Sequence, residues 1–188
     1  MRDLFHLAAD LQVFFIRHHW EFCFIGGIAL QRWGEPRLTR NMDVSLLTGF
    51  GKEEPFVDKL LAQYKGRMAD AKEFALTRRV LLLRSESGIG IDIVLTGLPF
   101  EKTVVERSTT FEFIEKATLL TCSAEDLVVM KAFADRGKDW LDVETIIVRQ
   151  QGHLDWSYIL EQLVPLCEIK KSPEIITKLE NLRHQHEE

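Results

Sequence analysis

The chain has few of the residues that would make it a disulfide-stapled, zinc-binding or membrane protein. It contains three cysteines in 188 residues, and Cys23, Cys122 and Cys167 lie far apart in apolar surroundings. An odd number of cysteines without metal-ligand spacing predicts reduced core thiols and no zinc site. No hydrophobic run approaches the length of a membrane span, and the apolar segment that ends at Arg17 lacks the pattern of a cleavable signal. We therefore expect a cytoplasmic protein that does not associate with a membrane.

Excess basic charge and several common catalytic motifs are also absent. The formal net charge is -5, which argues against broad DNA binding or attachment to an anionic membrane, although a local basic cleft remains compatible with it. The six histidines do not form a cluster. The sequence has no Walker loop, no Gly-x-Ser-x-Gly, no HExxH and no paired CxxC motif.

Hydrophobic periodicity divides the chain into a mixed N-terminal part and a purely helical C-terminal part. We predict an α+β fold in which residues 1–122 form a mixed α/β core and residues 123–188 form a helical bundle. Strands are predicted at 22–25, 41–47, 79–84, 89–95 and within 111–120. Helices are predicted at 3–19, after 26–27, at 53–64, 70–78, 99–107, 124–135, 138–151, 155–167 and 173–185.

Two adjacent glycines, Gly26 and Gly27, end the first apolar strand and precede a short helix. Glycines allow a sharp turn and a close approach of other groups to the backbone. The N–H groups at the start of the following helix suit a phosphate. A pair of glycines alone is weak support for a phosphate site, because most such pairs are simply turns.

Acidic and amide side chains alternate with apolar ones on two predicted strands. In the strand at 41–47, Asn41 and Asp43 share one face, and Asp92 interrupts an otherwise apolar strand at 89–95. If the two strands are neighbours, these three oxygen-bearing side chains could hold one or two Mg²⁺ ions. The simpler alternative for Asp92 is an exposed carboxylate or a salt bridge to Arg79 or Arg84.

The spacing of these groups resembles the signature of the polymerase-β-like nucleotidyltransferase superfamily. There a Gly-Gly or Gly-Ser pair is followed by an Asp-x-Asp pair. The match is closer still to a bacterial branch that includes minimal nucleotidyltransferases and the nucleotidyltransferase toxins of type IV toxin–antitoxin (abortive-infection) systems. The positions that carry the resemblance are Gly26, Gly27, Arg37, Thr39, Asn41 and Asp43.

The resemblance implies a nucleotidyltransferase-type fold, in which helices flank a mixed sheet and a helical bundle follows. It also implies the transfer of a nucleoside monophosphate from an NTP to a hydroxyl group of a protein, an RNA or a small molecule. It implies that Mg²⁺ or Mn²⁺ is bound at the positions of Asn41, Asp43 and Asp92. It also implies that four residues contact the nucleotide phosphates, and these are Gly26, Gly27, Arg37 and Thr39.

A second part of the resemblance lies in the helical region. The family has a lysine that clamps phosphate, followed by an Arg-x-Lys-Asp segment, and Lys131 and residues 136–139 match it. The resemblance therefore implies that Lys131 binds nucleotide and contributes to catalysis together with Asp43 and Asp92. A lysine on this partly apolar stripe could also simply extend to solvent. Asp139 is expected to be structural, and Asp142 could pair with Lys138.

Asn41 departs from the family pattern, which has an aspartate at this position. An amide oxygen can bind Mg²⁺ but brings no negative charge. Two alternatives follow, a degraded site that still binds nucleotide and a slow or single-metal enzyme. A catalytically inactive nucleotide-binding or protein-interaction module, such as a toxin–antitoxin-like component, is the alternative from a different functional class. A structural partner that binds no nucleotide is a third.

Overall fold

A seven-stranded mixed sheet forms the centre of the N-terminal part of the protein. The structure is a computed structural model that describes residues 2–186. The strands are β1 (Phe22–Ile25), β2 (Asn41–Leu47), β3 (Lys65–Gly66), β4 (Val80–Arg84), β5 (Gly90–Thr96), β6 (Thr109–Ile114) and β7 (Ala117–Thr121). Their order across the sheet is β3-β4-β5-β2-β1-β7-β6. The pairs β2–β5 and β1–β7 are parallel, and the other pairs are antiparallel.

Some helices pack against this sheet, and others follow it in the chain. The helices are α1 (Arg2–Arg17), α2 (Gly26–Trp33), α3 (Glu54–Gln63), α4 (Ala71–Arg78), α5 (Pro99–Glu106), α6 (Ala124–Ala134), α7 (Gly137–Arg149), α8 (Trp156–Lys170) and α9 (Glu174–His186). The predicted α+β class, with helices flanking a mixed sheet and a C-terminal helical bundle, is confirmed.

The main hydrophobic core lies on one face of the sheet. Alternate residues of β2 and β5, such as Met42, Val44, Ile91 and Ile93, are fully buried there. The apolar stripes of α1, α3 and α4 contribute to the same core, as expected for helices whose apolar residues recur every three or four positions. Because side chains alternate along a strand, the polar residues of β2 and β5 are directed to the opposite face.

Contacts divide the chain into two compact units. The sheet unit contains the chain up to Ile28 together with Leu38–Cys122, and the helical unit contains Ala29–Arg37 together with the chain from Ser123. Ser123 caps α6, because its hydroxyl accepts a hydrogen bond from the Asp126 N–H at 3.1 Å. The division into an α/β domain at 1–122 and a bundle domain at 123–188 stays a prediction.

Two local features differ from the sequence-based expectation. The two-residue strand β3 was not predicted, since Lys65 and Gly66 carry no period-2 pattern. The strand predicted from Arg79 begins at Val80, because Arg79 adopts a left-handed conformation (φ 57°) that ends α4.

Candidate active site

Asp43 and Asp92 are direct neighbours in two parallel strands. They are register partners in the β2–β5 pair, and register partners in adjacent strands point to the same face, with backbones about 4.8 Å apart. The apolar neighbours of both residues are buried in the core on the other face. The sheet therefore brings the two carboxylates together at a polar surface of the sheet unit.

The glycine turn lies against Asp43. Gly27 N–H, in the first turn of α2, donates a hydrogen bond of 3.3 Å to Asp43 Oδ2. Gly26 has a positive φ of 55°, and a Cβ atom added there would overlap the Asp43 carboxylate. A Cβ atom on Gly27 would overlap the Thr39 hydroxyl. The two glycines therefore allow the start of a helix to come within contact distance of Asp43 and Thr39.

Asn41 lies beside Asp92 on the same polar surface. It is the register partner of Gly90, and a side chain on Gly90 would overlap the Asn41 amide. The Asn41 side chain donates a hydrogen bond to the Asp92 carboxylate. An aspartate at position 41 would instead add a second negative charge next to Asp92.

Arg67 forms an ion pair with Asp92 that the sequence did not predict. Its guanidinium Nη2 contacts Asp92 Oδ1, and the two side chains are 22% and 24% exposed. The backbone N–H of Arg67 bonds to the Leu82 carbonyl at 2.9 Å, and Leu82 is the register partner of Asp92. The arginine therefore extends across one intervening strand to reach the carboxylate.

Burial dominates the electrostatics of Asp92. It raises the pKa of the Asp92 carboxyl above the usual range, while the Arg67 guanidinium and the Asn41 hydrogen bond lower it by a smaller amount. A carboxylate in these surroundings favours either a proton or a nearby cation. It is therefore suited to accept a proton or to bind a metal ion.

The donor set fits one hard divalent cation. The Asp43 and Asp92 carboxylates and the Asn41 amide oxygen are the ligand types that Mg²⁺ prefers. Among residues 2–186, however, no three or more His, Cys, Asp or Glu side chains form a group that could hold a metal ion. The amide at position 41 accounts for this, since it leaves two acids where the family pattern has three.

Lys131 is held in the helical unit by two carboxylates. Its ammonium Nζ lies 2.6 Å from Asp142 Oδ2 and 3.4 Å from Asp139 Oδ1, and all three side chains are at most 7% exposed. Arg37 donates two hydrogen bonds of 2.8 Å to the carboxylate of Asp142. We call these four residues the lysine network. It fixes the position of the Lys131 ammonium group.

The lysine network controls the protonation of Asp142. Burial raises the pKa of the Asp142 carboxyl, but the hydrogen bonds from Arg37 and Lys131 and their positive charges lower it further, so the net shift is downward. Asp142 is therefore ionised throughout the neutral range. Its negative charge offsets part of the positive charge of the two cations that contact it.

Three sequence expectations about pairing need correction. Asp92 pairs with Arg67, not with Arg79 or Arg84, and the guanidinium of Arg79 pairs with Glu53. Asp142 pairs with Lys131 and Arg37, not with Lys138 four residues earlier. Lys131 is buried against carboxylates and does not extend to solvent. These contacts could not be read from the sequence. The strand β3 beside Arg67 has only two residues, and Arg37 and Asp142 are 105 positions apart, so neither leaves a local pattern.

The predicted site residues are thus divided between two places. The sheet unit brings together Gly26, Gly27, Thr39, Asn41, Asp43 and Asp92. The helical unit holds Arg37 and Lys131 in the lysine network. The roles of these residues in binding and catalysis stay predictions.

One solved structure of a nucleotidyltransferase-like protein shares this fold. An antigenic nucleotidyltransferase-like protein from Paracoccidioides brasiliensis is similar at a TM-score of 0.52 and 15% identity, over 94% of this chain and 92% of that one. The lincomycin-bound lincosamide antibiotic adenylyltransferase LnuA has a TM-score of 0.47 at 14% identity, over 72% and 91% of the two chains. The antibiotic-resistance factor ANT(2'')-Ia has a TM-score of 0.41 at 15% identity, over 97% and 87%. At scores below 0.5 the last two add nothing to the assignment of the fold.

A sequence-family model identifies the family. The model for the nucleotidyl transferase AbiEii toxin of type IV toxin–antitoxin systems matches residues 7–167. The chain belongs to this family, and the resemblance drawn from Gly26 to Asp43 is confirmed. A comparison with curated protein sequences gave no match. None of the described helices is long and apolar enough to cross a membrane, and the cytoplasmic location stays a prediction.

Proposed function

We propose that the protein transfers a nucleoside monophosphate from an NTP to a hydroxyl group of an acceptor, with Mg²⁺ or Mn²⁺ bound at the sheet. Membership of the AbiEii nucleotidyltransferase family supports the reaction class. The observation that carries the assignment of the site is the pairing of Asp43 with Asp92 in register, beside the N-terminus of α2. The acceptor is a protein, an RNA or a small molecule.

In this reaction the acceptor oxygen attacks the α-phosphorus of the NTP. A new oxygen–phosphorus bond forms, and the bond from the α-phosphorus to the bridging oxygen breaks. Pyrophosphate leaves with that electron pair. Asp92 orients the acceptor hydroxyl and takes its proton. Gly26 and Gly27 would cradle the triphosphate at the N-terminus of α2.

The metal ion would be held by Asp43, Asp92 and Asn41. When bound, it would neutralise charge on the phosphates and stabilise the charge that develops in the transition state. The amide in place of a third carboxylate weakens this binding, because affinity for a hard cation falls with the charge of the ligands. A loss of about 4 kcal/mol of transition-state stabilisation would slow transfer roughly a thousandfold.

Lys131 and Arg37 are proposed to neutralise phosphate charge, as the family resemblance implies. The lysine network supports a fixed position for Lys131, since Asp139 and Asp142 both contact its ammonium group. Arg37 is partly exposed, with 45% of its side-chain surface accessible. Its side chain therefore lies at the surface while it contacts Asp142.

A catalytically inactive nucleotide-binding or interaction module is the second candidate. Two observations favour it, the neutral amide of Asn41 and the ion pair of Arg67 with Asp92, since each lowers the negative charge available to a metal. Thermal unfolding with ATP, CTP, GTP and UTP, each with and without Mg²⁺, separates the candidates. We expect stabilisation by one or more nucleotides only when Mg²⁺ is present, and a reduced effect in D43N. Stabilisation independent of Mg²⁺ would favour the module, and no stabilisation would contradict both.

A further inference from the structure

Arg67 contacts the Asp92 carboxylate because of its position beside the sheet. Its backbone is tied to Leu82 on β4, and Leu82 lies directly beside Asp92 on β5. The distance across two strand spacings is roughly 10 Å, which an extended arginine side chain can largely bridge. The contact is therefore a consequence of strand register and not of a chance surface conformation.

The guanidinium also retains an unused donor. Arg67 Nε is buried and has no hydrogen-bond partner within residues 2–186. A buried N–H without an acceptor is energetically unfavourable. A phosphate oxygen is the strongest acceptor that a nucleotide would bring, and arginine forms favourable charge-assisted bonds with phosphate. An unpaired donor beside the carboxylate pair thus points to an anionic ligand.

Charge at the sheet limits the number of metal ions. The side chains of Asp43, Asp92, Asn41 and Arg67 comprise two carboxylates, one neutral amide and one guanidinium, so one negative charge remains. Two divalent ions a few ångströms apart repel strongly, and carboxylates in the site must offset that repulsion. The observed set has the charge for one divalent ion. A guanidinium is already present where a second cation would contact Asp92.

We propose that Arg67 is a built-in cation that takes the place of one of two divalent ions, so that the protein binds its nucleotide with a single metal ion. This inference rests on the proposed function and selects the single-metal form of it. Asp43, Asn41 and the Asp92 carboxylate would hold the one metal ion with the nucleotide. Arg67 stays on Asp92 and contacts the phosphate through its unpaired donor. Asn41 and Arg67 act together, because one brings no negative charge and the other supplies a positive one.

The test counts bound Mn²⁺ by electron paramagnetic resonance, together with the α,β-methylene analogue of whichever NTP stabilises the wild type most. We expect one Mn²⁺ per chain in the wild type and in N41D, since Arg67 is retained in both. The double variant N41D/R67Q, with three carboxylates and no guanidinium, is expected to bind two. It should also bind the first ion at least about tenfold more tightly than the wild type. R67K keeps the charge and should bind one.

Matched controls separate the role of Arg67 from a general loss of positive charge or of folding. R78Q removes an exposed arginine of α4 and should leave one Mn²⁺ bound. Circular dichroism verifies the fold of each variant, and if N41D/R67Q fails to fold, N41D/R67M replaces it.

Two Mn²⁺ ions in the wild type or in N41D, or one in the folded double variant, would overturn the inference. If no protein of the set binds Mn²⁺ with nucleotide, the proposed function is wrong and the inference falls with it.

Discussion

Gly26 is in contact with Asp43 in a way that no other residue type at position 26 would permit. Its φ is 55°, and a Cβ atom would overlap the carboxylate. The next residue, Gly27, donates its N–H to the same carboxylate. The glycine turn and the acidic strand therefore form one unit, in which the backbone of α2 sets the position of an acid proposed to bind metal.

The variant G26A is expected to destabilise the protein and to impair nucleotide binding together. A left-handed alanine costs roughly 1–2 kcal/mol, and the overlap with Asp43 adds to it, so we expect a loss of about 2–4 kcal/mol in the free energy of unfolding. Displacement of Asp43 should also abolish Mg²⁺-dependent stabilisation by nucleotide. Urea denaturation and thermal shift measure the two effects.

Gly152 provides the control for G26A. It also has a positive φ, 74°, but a Cβ atom there would have no neighbour within 4 Å. The variant G152A should therefore lose only about 1–2 kcal/mol of stability and keep the nucleotide effect. Equal losses in both variants would show that the contact with Asp43 has no energetic weight.

The lysine network predicts a specific loss of stability in acid. The folded-state pKa of Asp142 is depressed, so its contribution is fully present above the unfolded pKa of roughly 3.9 and is lost as pH falls through the lower folded value. Below about pH 4, the free energy of unfolding of the wild type should therefore fall more steeply than that of D142N. At pH 7, D142N should be less stable by about 3 kcal/mol, because Lys131 loses a buried partner.

Lys72 supplies the comparison for D142N. It forms exposed ion pairs with Glu54 and Asp58, which water and salt screen. K72Q should leave both the stability and its acid dependence unchanged. Chemical denaturation between pH 2.5 and pH 7 follows all three proteins, and parallel curves for the wild type and D142N would refute the assigned role of Asp142.

A hydroxyl group in α8 stabilises the cap of α6. Tyr158 OH donates a 2.6 Å hydrogen bond to Asp126 Oδ1, and the Asp126 side chain is fully buried. Y158F should therefore lose about 1.5–3 kcal/mol, as expected for a hydrogen bond to a charged group. Tyr64 is the other tyrosine of the chain, and within residues 2–186 its hydroxyl makes no hydrogen bond. Y64F should change thermal stability little, and an equal effect of the two variants would contradict the assigned bond.

Much of the fold follows from patterns within single segments. Strict alternation on β2 predicted which face Asp43 occupies, and the isoleucines of β5 predicted the face of Asp92. Ser123 and the residues after it predicted the start of α6. In each case neighbouring residues decide the outcome, because period, capping and turn chemistry act over a few positions.

The parts that the sequence did not predict depend on distant partners. Arg67 reaches Asp92 only because β3 and β4 lie beside β5 in a particular register. Arg37 and Asp142 are 105 positions apart, and Asp142 had a nearer lysine available. Ala29–Arg37 cluster with the helical unit although they lie within the first 122 residues. Tertiary packing decides each of these contacts.

Transfer of label from the α-phosphate of an NTP tests the central claim most directly. Purified protein is incubated with Mg²⁺, with mixed cellular RNA and protein as acceptors, and with NTPs labelled at either the α- or the γ-phosphate. We predict that the wild type transfers the α-label but not the γ-label. D43N and D92N, which should fold normally, should transfer neither. Equal transfer of the α-label by D43N, D92N and the wild type would contradict a reaction centred on these two carboxylates.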